Sequence, residues 1–385
     1  MSRLALINGQ VIRNGELQQR QVIIENERIV KITPDSLDNF DGEIIDVQGK
    51  IVSPGFIDIH THGGFNVDIN HASAEDLSHL SKQFATQGTT SFLMSIVTDE
   101  DANVLNCIES YHQFKTKDLT GADIMGIHLE GPYLSQEYRG SMPEHLIVPY
   151  NHEQLTKFQE AAKGAIKYVT VAPEVEGIVE HIPDIVEKGI KVSIGHSGAT
   201  YAIAKQAIEV GAQCCTHTFN AMRLFHQHEP AIMGAVLESE QCYCEAICDG
   251  RHLHPGTVRM LLQTKGWDRV VAITDSIMAA GLPDGKYKLG VNDIVVVNGD
   301  AKLAYADVRA GSTLTTGQAL RNIMNYTGAP VTKVSKLLTE NPAKLFDMFD
   351  EVGSIDVGKL ANIVILDQDY QVVQTIVKGK SVFVS

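Results

Sequence analysis

Between residues 53 and 275 the chain repeats one pattern eight times: a short apolar run, then a longer run of helical period. The apolar runs are Ser53 to His62, Thr89 to Ser95, Ile124 to Leu129, Tyr168 to Ala172, Lys191 to Ile194, Gln213 to Thr216, Tyr243 to Ile247 and Val270 to Thr274. In the first, Ile57 and Ile59 alternate with Asp58 and His60, the period of a strand. Between runs, apolar residues recur at helical spacing, as in Leu77, Leu80 and Phe84 or Ile178, Ile182 and Ile185. Ser73 and Thr200 stand where helix N-caps belong, and Pro255 stands at a first helical position. Eight consecutive alternations predict an α/β chain folded as a (β/α)8 TIM-type barrel. A doubly wound open sheet is the competing architecture, but no Gly-x-Gly-x-x-Gly turn follows an early strand.

The two ends read differently. Leu4 to Ile12, with an Asn8-Gly9 turn, Gln21 to Thr33 and Glu43 to Val52 are strand-like, as are Asn362 to Leu366 and Val372 to Val384. Neither end has the apolar mass to stand alone, so the ends are expected to pair into one small β-sandwich, residues 1–52 plus 355–385. The barrel is then residues 53–354. After the eighth run, Asp293 to Val297, Asn298-Gly299 and Ala301 to Ala304 predict a hairpin.

A formal charge of −15 argues against nucleic acid or an anionic membrane as partner, since both select a basic face. A small phosphorylated molecule is still compatible, because a pocket can be locally positive. No run approaches transmembrane length and the N-terminus lacks a signal-peptide core, so a cytoplasmic protein is expected. The six cysteines suit buried thiols better than a zinc ribbon, for which Cys242, Cys244 and Cys248 are wrongly spaced.

Polar residues gather at the ends of the apolar runs: His60 and His62, Glu130, His196, His217, His252 and Asp275. Singly, each has an ordinary explanation as a helix-start acceptor or a satisfied core histidine. In a parallel barrel, however, all strand C-termini share one rim, where active sites sit. Seven such residues on one rim describe a metal-dependent hydrolase. Imidazoles with carboxylates favour zinc, with iron, cobalt, nickel and manganese as alternatives. Such an ion lowers the pKa of water towards ~7, and Asp275 is placed to accept and return the proton.

These residues carry a resemblance. The segments Pro54-Gly55-Phe56-Ile57-Asp58-Ile59-His60-Thr61-His62-Gly63, His128-Leu129-Glu130-Gly131-Pro132, Gly195-His196-Ser197 and Thr216-His217-Thr218-Phe219-Asn220-Ala221-Met222 resemble the amidohydrolase superfamily, and within it the N-acetylglucosamine-6-phosphate deacetylase family. Asp249-Gly250-x-His252, Thr274-Asp275 and Asn341-Pro342-Ala343 extend the likeness over nearly the whole chain. It implies a metal-dependent barrel flanked by a β-sandwich, often a homodimer, with one or two divalent ions per subunit. Glu130, His196 and His217 would hold the main ion, His60 and His62 a second, and Asp275 would be the acid/base. His252 would position the sugar or stabilise the oxyanion, with Asn220 and Ala221 near the phosphate.

At two positions the chain departs from that pattern. Family members usually carry an arginine just before Glu-Pro that reaches the phosphate, commonly of a neighbouring subunit; here His228 precedes Glu229-Pro230. A histidine usual after the lid glycine is replaced by Met142, which cannot donate a hydrogen bond. The expected reaction is removal of acetate from an N-acetylated amino-sugar 6-phosphate, with N-acetylglucosamine 6-phosphate first. Alternatives are N-acetylgalactosamine 6-phosphate or an unphosphorylated acetamido sugar. A cyclic amidase of the dihydroorotase or hydantoinase kind ranks lower, because Thr170 to Glu174 supplies no lysine to bridge two metals. A non-catalytic scaffold barrel ranks last.

Overall fold

In the computed structural model, which describes residues 2–37 and 40–385, eight parallel strands stand side by side in chain order. They are Phe56–Asp58, Thr89–Val97, Asp123–Glu130, Ile166–Val171, Lys191–Ile194, Cys214–Cys215, Tyr243–Ile247 and Val270–Ile273. Helices alternate with them, from Ala74–Ala85 after the first strand to Thr316–Thr327 after the eighth. The seam between first and eighth strands is closed just past their ends. Asp275 N donates to His60 O (2.8 Å) and His62 N donates to Ser276 O (2.8 Å). The Asp58 side chain reinforces it, accepting from Thr274 Oγ1 (2.6 Å) and more weakly from Thr274 N (3.3 Å). This is the (β/α)8 barrel.

Strand alternation sorts the side chains. Phe92, Met94, Ile96, Ile127, Leu129, Val169, Val171, Val270 and Ala272 face the helices in the largest apolar cluster. Leu93, Tyr168, Val271 and Ile273 point into the barrel and form a second cluster with Leu345 from below. Each fully buried Leu, Ile or Phe contributes about 1.5–3 kcal/mol. The residues that alternate with the outward set near the strand tops, His128 and Glu130 among them, therefore also point inward. The helix signals act as expected: Ser73 and Asp76 form a capping box, Thr200 caps Tyr201–Glu209, and Pro255 opens Pro255–Lys265.

The ends meet in a second, mostly antiparallel sheet. Its order is Lys380–Val384, Val372–Val377, Ile363–Leu366, Ile51–Pro54, Arg3–Arg13, Glu16–Glu25, Arg28–Thr33, with Glu43–Asp46 also beside Arg3–Arg13. Ile29 N donates to Lys359 O (2.9 Å) and Ala361 N to Glu27 O (2.8 Å), bringing the far edge back to the C-terminal segment. Leu6, Val11, Val22, Ile24, Ile29, Val52, Ile363, Ile365 and Ile376 fill its core.

One local expectation is corrected and one is extended. Asn8-Gly9 does not turn the chain; it is a β-bulge inside one continuous strand, Arg3–Arg13. Asn8 takes φ 58° and its N–H is satisfied by Gln21 Oε1 (2.9 Å), so the strand absorbs the extra residue and continues. The hairpin expected after the eighth strand is present, Asn292–Val297 paired antiparallel with Asp300–Leu303, and a third strand, Gly285–Leu289, extends it. The added strand is hard to read from sequence because Lys286 and Lys288 face solvent and only half-buried Tyr287 and buried Leu289 mark its inner face. Among the described residues, no helix is long and apolar enough to cross a membrane.

Candidate active site

Each strand-end residue named above comes to the same place. His60 and His62 leave the first strand two residues apart on one face. Gly63 then lets the chain turn at φ 147°; a Cβ there would lie 2.1 Å from Val67 O, so no other residue fits. Glu130 ends the third strand. His196, His217 and Asp275 follow the fifth, sixth and eighth with φ of 47°, 29° and 48°, a region non-glycine residues rarely occupy. Three strand-end residues bent this way show backbone strain held where the side chains must be aimed.

The side chains form two groups whose donor atoms lie within 4.8 Å of one another: Glu130, His196 and His217, and His60, His62 and Asp275. Glu130 joins them. Its Oε1 lies 3.2 Å from both His196 Nε2 and His217 Nε2, and its Oε2 lies 3.2 Å from His62 Nε2. Asp275 Oδ1 lies 3.2 Å from His62 Nε2 and 3.6 Å from His60 Nε2.

Whether these groups suit a cation can be read from their outer contacts. His62 Nδ1 faces Ser95 O (3.1 Å) and His196 Nδ1 faces Tyr138 O (3.0 Å). A carbonyl only accepts, so each Nδ1 carries the hydrogen and each neutral ring turns an Nε2 lone pair inward. There His62 Nε2 meets His60 Nε2 at 3.1 Å, and His196 Nε2 meets His217 Nε2 at 3.0 Å, with the carboxylates between. So many lone pairs facing one another in a buried space repel unless positive charge sits among them. The same excess shows in the ionisations. Burial works against a charged His62, yet bonds to Asp275 and Glu130 lift it to about 9. Burial opposes ionisation of Glu130 and Asp275 too, but the surrounding imidazoles hold both below the usual carboxylate range. Among the described residues, His217 Nδ1 is buried without a hydrogen-bond partner. The donor set fits a divalent ion.

Several supporting residues were not singled out from sequence. Glu245, fully buried in the seventh strand, accepts from His217 N (2.9 Å) and Tyr168 OH (2.8 Å) and lies 2.9 Å from His60 Nδ1. A carboxylate amid the apolar run Tyr243–Ile247 was the available signal. His128, flanked by Ser95 Oγ and Thr170 Oγ1 at 2.9 Å each, is pushed by burial and the neighbouring His60 well below its ordinary value. Asp58 is raised to about 6 by burial despite its bonds to Thr274.

Above these groups lies a cavity of about 450 Å3, open to solvent and lined by His62, Glu130, His196, His217 and Asp275. The expected substrate contacts Met142, Asn220, Ala221 and His252 also line it. His252 Nδ1 is held by Asp249 Oδ2 at 2.8 Å. Met142 is buried with Leu289 and Ile294 of the hairpin, so it gives the cavity an apolar side. Gly140, at φ 58°, passes so close to His196 that a Cβ would lie 3.2 Å from its ring. His228 is not brought in: it sits on the exposed loop 223–229, where its N–H meets His226 Nδ1 (3.2 Å).

Comparison with known proteins agrees with this geometry. The model of the amidohydrolase family matches residues 51–382. N-acetylglucosamine-6-phosphate deacetylase of Bacillus subtilis is 37% identical over 339 residues, 87% of this chain and 85% of its own. The crystal structure of N-acetylglucosamine-6-phosphate deacetylase from Pasteurella multocida superposes with a TM-score of 0.93 at 30% identity, covering 100% of both chains. A mutant of the Mycobacterium smegmatis deacetylase, in complex with N-acetyl-D-glucosamine-6-phosphate, gives 0.92 at 30% identity, over 99% of this chain and 100% of its own.

Proposed function

Because this chain belongs to the amidohydrolase family, we propose that it removes acetate from an N-acetylated amino-sugar 6-phosphate, N-acetylglucosamine 6-phosphate first, leaving glucosamine 6-phosphate. One observation supports this most: two groups of imidazole and carboxylate donors meet beneath a sugar-sized cavity with Asp275 facing both the donors and the space above. Glu130, His196 and His217 would hold the main divalent ion, which we assign as zinc from its nitrogen and oxygen donors; His60 and His62, with Asp275 beside them, would support a second. A bound ion supplies a more acidic water and a polarised acetyl carbonyl.

The chain's own residues do the rest. Asp275, at the eighth strand's end beside the donor groups, takes the proton of the attacking water and returns it to the amine as the C–N bond breaks. Glu245 fixes the His60 ring and, through the His217 N–H, the turn that aims His217. His252, oriented by Asp249, offers Nε2 to a sugar hydroxyl. Asn220 and Ala221 shape the wall beside the phosphate, and Met142 packs against the apolar edge of the sugar.

We place the catalytic unit at residues 53–354, with a β-domain of residues 1–52 plus 355–385 buttressing it. Exposed Leu224 and Phe225 favour a homodimer in which His228 of one subunit approaches the site of the other. Six buried free cysteines and a sugar-phosphate substrate suit the cytoplasm. The test is acetate release by zinc-loaded protein from 6-phosphorylated and unphosphorylated N-acetylglucosamine, N-acetylgalactosamine and N-acetylmannosamine. Fastest turnover is expected on N-acetylglucosamine 6-phosphate. No release from any acetamido hexose phosphate would refute the proposal.

A further inference from the structure

We infer that Lys302 and Arg309, on the hairpin that walls the cavity, form a cationic clamp for the substrate's phosphate within the same chain. This rests on the deacetylase reading above. After the strand Asp300–Leu303 the chain reverses: Leu303 N donates to Val308 O (2.9 Å) and Ala310 N to Ala301 O (3.1 Å). Lys302 and Arg309 are thereby an antiparallel pair. Directly opposed residues share one face of such a pair. That face is the cavity's, because both residues line it together with His252, Asn220 and Asp275.

Two like charges directly opposite destabilise a strand pair, so the arrangement has no evident merit for folding. Two aspartates offset it. Arg309 Nε lies 2.8 Å from Asp300 Oδ1, and Lys302 Nζ lies 2.6 Å from Asp307 Oδ1. The Asp307 side chain is 87% exposed. Such pairs are weak, and a dianionic phosphate with three acceptor oxygens competes for the same donors.

The remaining lining points the same way. Among the described residues that line the cavity, Lys302 and Arg309 are the only lysine or arginine, whereas Glu130, Asp275 and Asp307 are acidic. Asn220 directs its amide nitrogen inward, to His217 O (3.1 Å) and Thr218 O (3.3 Å), and so away from a phosphate. His228 lies on the exposed loop outside this wall. An anion in this cavity therefore finds its full positive charges on the hairpin.

The test is isothermal titration of zinc-loaded protein with glucosamine 6-phosphate and with glucosamine, for wild type, Lys302→Gln, Arg309→Gln and the double variant. Wild type should prefer the phosphorylated sugar, and that preference should fall at least about tenfold in each single variant and further in the double. Asp307→Asn, on an exposed turn, should tighten glucosamine 6-phosphate binding about twofold or more, a gain that misfolding cannot produce. A preference unchanged in the double variant, or absent in wild type, overturns the clamp, as does weaker binding in Asp307→Asn. Acetate release by wild type is scored separately: its absence beside an intact, clamp-dependent preference would count against the deacetylase reading and leave the clamp standing.

Discussion

The floor and the wall of the cavity are built on opposite principles. On the floor, Glu130, Asp275 and four histidines are buried, with rings fixed by Ser95 O, Tyr138 O and Glu245 and three backbones held in a strained conformation. On the hairpin wall, Lys302, Arg309, Asp300 and Asp307 are wholly or partly exposed and pair with one another. A buried charge that loses its partner costs several kcal/mol, whereas a surface pair contributes ~0–1 kcal/mol. The floor can thus hold reacting groups in one geometry, and the wall can exchange its partners for a ligand. In the proposed mechanism, rigidity serves the chemistry and exchange serves recognition.

Breaking the floor should do the most damage. Glu130→Gln removes the carboxylate shared by both donor groups; bound zinc, measured by elemental analysis, should fall to background and acetate release should drop at least about a thousandfold. Asp275→Asn should lower kcat by about 10²–10⁴ while zinc stays bound at Glu130, His196 and His217. Loss of zinc equal to that of Glu130→Gln would instead make Asp275 chiefly a ligand. Glu245→Gln touches no substrate, yet should weaken metal affinity about 10–100-fold, measured by competition with a chromophoric chelator.

The smallest effect is expected at a pair of the wall's kind far from the site. Lys378 of the terminal sheet and Lys115 flank Asp123 at the base of the third strand, with Nζ at 2.8 and 2.7 Å. Burial works against an ionised Asp123, but the two lysines outweigh it and lower its pKa. A carboxylate depressed in the fold stabilises above its unfolded value of ~3.9 and loses that stabilisation as pH falls through the folded value. Lys378→Met should cost about 1 kcal/mol or less at pH 7, and the gap in thermal midpoint from wild type should close below about pH 4. A gap independent of pH would assign the loss to packing of the lysine stem.

The same contrast explains what the sequence disclosed. Period-two runs announce strands, and His196, His217, Glu130 and Asp275 stand out because polar residues directly after apolar runs are conspicuous. Glu245 was missed because it lies inside such a run, where its neighbours make the segment read as uniformly apolar. Asn8-Gly9 resembled a turn because left-handed Asn serves both a turn and a bulge, and only pairing with Glu16–Glu25 decides between them. Lys302 and Arg309 were silent because exposed lysine and arginine on a hairpin are common; their meaning comes from cross-strand pairing that places both over one cavity.

Everything proposed for the floor requires that its converging imidazoles and carboxylates be a divalent-metal site that hydrolyses an acetamide. The decisive assay is acetate release from N-acetylglucosamine 6-phosphate by native protein, by protein stripped with a chelator, and by stripped protein given back zinc. Native protein should release acetate, stripped protein should lose that activity at unchanged far-ultraviolet circular dichroism, and one or two zinc ions per chain should restore it. Equal release from stripped protein shown by elemental analysis to be free of metal would contradict the metal site.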